Sequence, residues 1–179
     1  MKNKKKILEL FGSFLLFITV IISVACIVKY AADHRCLTYE ELPEDAIVFR
    51  IRESNGIQKK VWEYDVSGNL HISIYEWSDP YNSSTEELIS REIVEESISP
   101  KEVQHMYETL LRVNKSAREE TLCEMSLLIE EYSSFAGIRY MVNGEKETVS
   151  LGSGEGDLIQ RRLKDDDARE ILNWLKTLR

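Results

Sequence analysis

An uninterrupted apolar stretch near the amino terminus constrains this chain more than any other feature. Residues 11–28 contain no charged side chain, and residues 7–28 contain one, Glu9. As an α-helix, the 22 residues from position 7 would measure about 33 Å, enough to cross a hydrocarbon core of about 30 Å. A removable signal peptide usually has a shorter apolar region, of about 7–15 residues. The stretch therefore predicts a membrane-spanning helix that contacts the lipid bilayer through residues 7–28.

Lysines on one side of this stretch predict its orientation. Four lysines precede it, whereas Lys29 and Arg35 follow it. The more basic flank of a membrane helix stays in the cytoplasm. We therefore expect residues 1–30 to form a single-pass anchor with a cytoplasmic N-terminus, and the C-terminal domain to be extracytoplasmic.

Two processing alternatives compete with the uncleaved anchor. Ser23 and Ala25 are small residues at the two positions that signal peptidase reads, which would place cleavage after Ala25. The tetrapeptide Ser23-Val24-Ala25-Cys26 also resembles the lipobox of bacterial lipoproteins, with Ser23 in place of the usual leucine-like residue. That resemblance implies a lipoprotein with an acylated Cys26. All three alternatives put the body of the protein on the same side of the membrane.

Charge is divided unevenly between the two ends of the chain. Residues 1–35 hold six Lys/Arg and two Asp/Glu, whereas residues 36–179 hold 17 Lys/Arg and 29 Asp/Glu. An acidic body repels phosphate backbones, so we expect no nucleic-acid partner.

In an oxidising compartment Cys36 and Cys123 are able to form a disulfide, and the alternative is one loop thiol and one buried thiol.

Two alternating runs around a glycine-containing turn predict a β-hairpin. The runs are residues 59–65 and 69–77, and Gly68 suits the left-handed bulge position of a three-residue loop. In this register Trp62 faces Ile72, and the apolar side chains of both strands share one face.

Periodicity and capping signals predict the other elements of the body. The first is a strand at 47–52, followed by a segment at 86–97 that fits a short helix or a strand. A helix with a capping box at Ser99 and Glu102 comes next, and then a helix at 117–132 with a buried strand as the alternative. The last elements are a second hairpin at 138–142 and 145–151 with a type I′ turn at Asn143-Gly144, a flexible loop at 152–157, and a helix capped by Asp167.

These elements predict an α+β fold class. Each strand connection that can be read is a tight hairpin, which favours an antiparallel sheet over a parallel one. The predicted architecture is an N-terminal transmembrane helix followed by an antiparallel sheet of two β-hairpins, with two or three helices packed on one face. Residues 31–46 are polar and aperiodic, so we expect a tether there and a domain at 47–179.

No motif for catalysis, metal or cofactor binding stands out. His34, His71 and His105 lack the spacing of metal ligands. The glycine-rich residues 152–156 carry a glutamate where a phosphate would need positive charge. Three consecutive aspartates at 165–167 are typical of a helix cap rather than a Ca²⁺ loop. We therefore expect no metal, no cofactor and no enzymatic activity.

One face of the predicted first sheet suggests an interaction patch. If the apolar residues of the hairpin point inward, then the opposite face carries both arginines and aromatics, a combination typical of binding hot spots. Its residues are Arg50, Arg52, His71, Tyr75 and Trp77. The alternative is that a helix or the 79–98 segment covers this face.

The sequence therefore predicts an interaction module held at the outer face of a membrane. Its partner would be a protein or an envelope polymer. One alternative is an envelope-associated enzyme whose residues come together only in the fold. The other is a structural or assembly subunit that acts through its membrane helix.

Overall fold

The computed structural model describes residues 2–77, 86–114, 117, 119–120, 132–155, 158–162 and 165–178. The chain divides into two compact units. The first comprises residues 1–35 together with 141–145, and the second comprises residues 36–140 together with 146–179.

A single long helix dominates the first unit. Helix α1 spans Lys2–Asp33, so it extends beyond the predicted span at both ends. By length and composition, Leu16–Asp33 is apolar enough to cross a membrane, and the side chains of this window are exposed. A secretion signal near an amino terminus meets the same criterion. The helix continues to Asp33 because residues 29–33 contain neither glycine nor proline.

In the described part of the chain, eight strands form one antiparallel sheet in the order β4-β3-β2-β1-β6-β7-β8-β5. The protein is thus α+β. The strands are β1 Ile47–Ser54, β2 Gln58–Asp65, β3 Leu70–Trp77, β4 Glu86–Val94, β5 Glu119–Glu120, β6 Tyr132–Tyr140, β7 Lys146–Glu155 and β8 Leu158–Arg162. The helices of the second unit are α2 Pro100–Arg112 and α3 Asp166–Thr177.

Strands β2 and β3 pair in the register that their sequence pattern favours. Trp62 lies opposite Ile72 and Tyr64 opposite Leu70. Asp65 N donates to Asn69 O over 3.1 Å, and Gly68 adopts a φ of 82° in the loop between them. Only glycine adopts this conformation at little cost, so the turn and the apolar alternation specify the same register.

Helices α2 and α3 contact the sheet through Trp174 and Leu110, and the sheet face that carries these contacts is called the helix face below. The Phe49 and Trp174 rings meet edge-on with centroids 5.0 Å apart. Leu110 fills the space above Gly137, where a Cβ would overlap its side chain. The two helices and the central strands contribute to one core whose largest fully buried side chains include Tyr64, Tyr107, Phe49 and Phe135.

The helix caps match the predicted ones only in part. Ser99 is the N-cap of α2, but its side chain makes no capping hydrogen bond, and Glu102 instead accepts a 2.6 Å hydrogen bond from Trp174 Nε1. The N-cap of α3 is Asp165 rather than Asp167. Asp165 Oδ1 accepts from Ala168 N, while its Oδ2 accepts from Asn114 N. Both carboxylates thus bond to groups from other elements, which local spacing could not indicate.

The second hairpin is shifted by one residue from its predicted register. Met141 N donates to Glu145 O, so the loop has three residues and Gly144 carries the positive φ. The predicted type I′ turn is therefore wrong. Because side chains alternate along a strand, Val149 lies opposite Gly137 on the helix face, and Ile138 lies opposite Thr148 on the other face.

Three segments, two ambiguous in the sequence and one expected to be a loop, contain strands in the described part of the chain. The 86–97 segment contains β4. The predicted helix at 117–132 is wrong at Glu119–Glu120 and at Tyr132, which belong to β5 and β6, and residues 121–131 lie outside the described residues. The loop expected at 152–157 is wrong at 152–155, because β7 continues to Glu155 and pairs with both β6 and β8. Cys123, the proposed disulfide partner of Cys36, also lies outside the described residues.

The predicted tether is folded onto the second unit over part of its length. Residues Tyr39–Glu41 form a 3₁₀ helix, and Leu37, Tyr39 and Leu42 pack against the core. Leu37 N donates to Tyr140 O over 2.7 Å. The second unit therefore begins at Cys36, before the position expected from the sequence.

Candidate functional site

Strand register defines the face of the sheet that lies opposite the helices, called the reverse face below. Phe49, Ile51, Trp62 and Tyr64 occupy the helix face, so their neighbours along each strand occupy the reverse face. The cross-strand rows on the reverse face are Arg50–Glu63–His71–Ile93, then Arg52–Val61–Ser73–Arg91, then Lys59–Tyr75–Leu88.

The two predicted arginines of this face differ in their surroundings. Arg50 pairs with Glu63 through Nε at 2.7 Å and Nη2 at 2.5 Å, and both side chains are half-buried. Its charge is therefore balanced within the sheet. Arg52 is exposed and lies in the row that continues through buried Val61 and Ser73. Of these two residues, Arg52 is better placed to meet a partner.

His71 is held inside a local polar cluster. Its Nε2 lies 3.0 Å from Asp65 Oδ2, and the side chain is 17% exposed. The other ring nitrogen, Nδ1, is buried with no hydrogen-bond partner among the residues that the structure describes. His71 is thus a neighbour of the predicted patch rather than a free contact residue.

The Asp65 carboxylate organises the loop between β2 and β3. Its Oδ1 accepts from Ser67 N and Asn69 N, each over 2.9 Å, and its Oδ2 accepts from Asn69 Nδ2. Burial alone would raise the pKa of Asp65, but hydrogen bonds from His71 and Asn69 outweigh it and leave the pKa below its usual value. The Asp65–His71 pair therefore stabilises a turn, and among the described residues the hydrogen bonds of this pair involve no serine hydroxyl and no cysteine thiol.

The two aromatic residues of the predicted patch lie near the end of β3. Tyr75 is half-buried, and Lys59 Nζ lies 4.4 Å from the centroid of its ring. Lys59 also forms an ion pair with Glu86 on β4. Trp77 is half-buried and lies opposite Glu86 in the register. The cation against Tyr75 is thus Lys59, so the structure does not bring the predicted arginines onto this ring.

The sequence did not identify the neighbouring strand β4 as part of this surface. Leu88, Ile89 and Ile93 are 54%, 55% and 55% exposed, although large apolar side chains are usually covered. Leu88 and Ile93 lie beside Tyr75 and His71 on the reverse face. A signal existed, because residues 86–94 include Ile89, Ile93 and Val94, which favour a strand, but the same run also suits a short helix. The surface therefore extends from the β1–β3 rows to the sheet edge.

A cavity of about 290 Å³ lies beside the β1–β2 turn and the start of β6. Its lining is polar and contains no His or Cys: Glu53, Ser54, Asn55, Gln58, Lys60, Tyr132 and Ser133. Within the described ranges, no three His, Cys, Asp or Glu residues gather as metal ligands would.

Comparisons with protein-family models, with curated proteins and with solved structures find no match for this chain.

Proposed function

We propose that this chain is a single-pass membrane protein whose α+β domain acts outside the cytoplasm as an interaction module. The observation that carries the proposal is the exposure of three apolar side chains on β4, Leu88, Ile89 and Ile93, with Leu88 beside Tyr75 on the reverse face. Exposed apolar side chains grouped on one strand of a charged protein are typical of a site that another molecule covers. The partner class is a protein or an envelope polymer.

The location in this proposal rests on α1 and its flanks. The helix is long and apolar enough to cross a bilayer, and four lysines precede its apolar part. These features support a cytoplasmic N-terminus and an extracytoplasmic domain. In this proposal the domain is an antiparallel sheet built on two hairpins with helices on one face, and the partner contacts the exposed residues of the reverse face.

Orientation can be tested with single cysteines in a background where the three native cysteines are serine. Ser67→Cys lies in an exposed loop of the domain, and Asn3→Cys lies in the lysine-rich tip. In intact cells, a membrane-impermeant maleimide should label Ser67→Cys and spare Asn3→Cys. The opposite pattern would contradict the proposed orientation. The mass of the mature protein with its native cysteines separates an intact chain from one that begins at a lipid-modified Cys26.

Partner contact can be tested by cross-linking in intact native cells. A Tyr75→Ala, Trp77→Ala double variant should lose the dominant cross-linked adduct while keeping the far-UV circular dichroism of the wild type. A matched control is Lys101→Ala with Glu108→Ala, which changes two exposed residues of α2. Adducts that survive the first pair, or disappear in the control, would remove this surface from the proposal.

An assembly role through the membrane helix is the second candidate. It is favoured by the exposure of the α1 window, whose side chains are not buried in the structure. Replacing residues 7–28 with an unrelated apolar helix of equal length separates the two candidates. Retained partner capture supports the interaction module, whereas loss of capture with a correctly oriented domain supports the assembly role.

A further inference from the structure

Strand β4 forms one edge of the sheet. It comes first in the strand order and pairs with β3 on its inner side. No other strand of the described chain pairs with its outer side. Eight of its nine residues are exposed. Because alternate backbone N–H and C=O groups of an antiparallel strand point away from its neighbour, the outer edge of β4 presents hydrogen-bonding groups that no strand of the described residues pairs with.

The two sides of β4 differ in chemistry. On the reverse face, Leu88 and Ile93 lie opposite Tyr75 and His71, with Arg91 between them in the chain. On the helix face, Glu87 and Glu92 lie opposite Glu76 and Ile72. The reverse-face side of the edge therefore carries Leu88 and Ile93 together with the opposite charges of Glu86 and Arg91, whereas the helix-face side carries two glutamates, Ser90 and Val94 and no cation. Such an edge would favour an added strand that is apolar on one side and basic on the other.

The same charges oppose pairing of β4 with a second copy of itself. Two copies related by a twofold axis across the sheet would bring the acidic sides together, so that Glu87 and Glu92 would face an equally acidic neighbour. Like charges on facing strands are destabilising. Charged residues on an edge strand are a common means of preventing such self-association.

We propose that β4 binds an extended segment of a partner protein, which adds to the sheet as a further strand. The segment alternates apolar with Lys or Arg residues, so that its apolar side chains contact Leu88 and Ile93 and its cations contact Glu87 and Glu92. Backbone hydrogen bonds provide affinity in this mode of recognition, and the alternating side chains provide specificity. This inference rests on the proposed function and specifies its partner class.

The probe is a nine-residue fluorescent peptide that alternates valine and lysine. The protein is the full chain in nanodiscs of zwitterionic phosphatidylcholine, which limits binding of the peptide to lipid. We expect saturable binding by fluorescence anisotropy at low salt, together with slowed hydrogen exchange at β4 amides. A peptide with the same residues in two blocks, valines then lysines, should bind at least about tenfold more weakly, because it cannot present one residue type to each side.

Charge reversal on the protein tests the assigned side. Glu87→Lys with Glu92→Lys should weaken binding of the valine–lysine peptide about tenfold or more, and should create binding of the corresponding valine–glutamate peptide. The matched control is Glu44→Lys with Asp45→Lys, which makes the same change in net charge at exposed residues away from β4. The control should leave both affinities within about twofold of the wild type.

Four results would overturn the inference. They are absence of saturable binding, equal binding of the block peptide, equal effects of the two charge reversals, and a self-association of the protein that excludes the peptide. Failure here is distinguishable from failure of the proposed function. A cellular adduct located away from β4 would contradict the β4 inference but would leave the proposed interaction module in place. A domain found in the cytoplasm that still binds the peptide would refute only the proposed location.

Discussion

Asp65 shows how one side chain organises a region of this protein. Its carboxylate accepts hydrogen bonds from Ser67, Asn69 and His71 at the end of β2. Asn69 Oδ1 in turn accepts from Glu96 N, in the segment that leads from β4 to α2. The Asp65 carboxylate is thus connected through Asn69 to the segment between β4 and α2. We expect removal of this carboxylate to destabilise that segment as well as the β2–β3 turn.

The lowered pKa of Asp65 predicts an acid-dependent loss of stability. A carboxyl group whose pKa is lower in the folded state stabilises the fold above its unfolded pKa of about 3.9, and this contribution disappears as the pH falls through the folded value. The free energy of unfolding, measured with urea on the full chain in micelles, should therefore decrease below about pH 4. Asp65→Asn should be less stable at neutral pH and should flatten this decline. Asp45→Asn, at an exposed position, should keep it; equal slopes in all three proteins would contradict the assignment.

Arg139 is a buried cation on the helix face of β6. Its guanidinium donates to Leu110 O and Val113 O at the end of α2, and its Nη1 lies 3.3 Å from Glu147 Oε2. Removing one member of a buried pair leaves the other charge uncompensated. Arg139 therefore holds the carbonyl end of α2 on the sheet.

Replacing Arg139 with methionine should lower the free energy of unfolding by about 3–5 kcal/mol. The double variant Arg139→Met, Glu147→Gln should lose less than the sum of the two single changes, because the buried carboxylate is gone as well. Chemical denaturation of the four proteins measures this coupling. Strictly additive losses would mean that the ion pair itself contributes nothing.

At the scale of elements, the turns β1–β2 and β2–β3 restrict which residue type each can accept at its glycine position. Gly56 and Gly68 both have a φ of 82°, one in the β1–β2 turn and one in the β2–β3 turn. A Cβ at Gly56 would meet open space, whereas a Cβ at Gly68 would overlap Ile98 O. Ile98 N also donates to Gly68 O over 3.0 Å. The second turn therefore needs glycine for two reasons and the first for one.

This matched pair of glycines gives a direct comparison. Gly56→Ala should cost about 1–2 kcal/mol of stability, the strain of a left-handed residue with a side chain. Gly68→Ala should cost several kcal/mol more, because the backbone of the 96–98 segment must also move. Thermal or urea unfolding of both variants separates the cost of backbone strain from the cost of steric overlap with Ile98. Similar losses of stability in the two variants would show that the 96–98 segment moves away from the new side chain at little cost.

Two buried tyrosines connect distant parts of the chain across the core. Tyr64 OH donates to Leu178 O beyond the end of α3, and Tyr107 OH donates to Leu37 O in the segment before β1. Burial raises the pKa of each hydroxyl to about 12. The second unit as a whole thus depends on both phenols remaining neutral.

These values predict alkaline unfolding over a defined range. A group whose pKa is raised in the folded state stabilises the fold fully below its unfolded pKa of about 10, and that contribution is lost as the pH rises towards 12. The free energy of unfolding should therefore decrease as the pH rises from about 10 to about 12. Tyr64→Phe and Tyr107→Phe should each cost about 1 kcal/mol at neutral pH and reduce the alkaline loss. A wild-type curve that is flat up to pH 12 would contradict the burial of these hydroxyls.

The sequence by itself determined the features that depend on neighbouring residues. Hydropathy indicated an apolar helix over residues 7–28, since spanning length and lack of charge are local properties, and α1 includes this stretch. Gly68 and the alternation around it indicated the pairing of Trp62 with Ile72. The α+β class follows from the same local signals. Membrane orientation and the interaction role stay predictions, because flanking charge and surface composition indicate them only by tendency.

Only the tertiary structure decided which distant residues meet. It paired β1 with β6, shifted the second hairpin by one residue, and gave Asp165 rather than Asp167 the cap of α3. It placed His71 against Asp65 and left the apolar residues of β4 exposed at an edge. The physical reason is that these contacts are non-local: a short apolar run fits more than one element, and its register, its partner and its exposure depend on packing against strands far away in the chain.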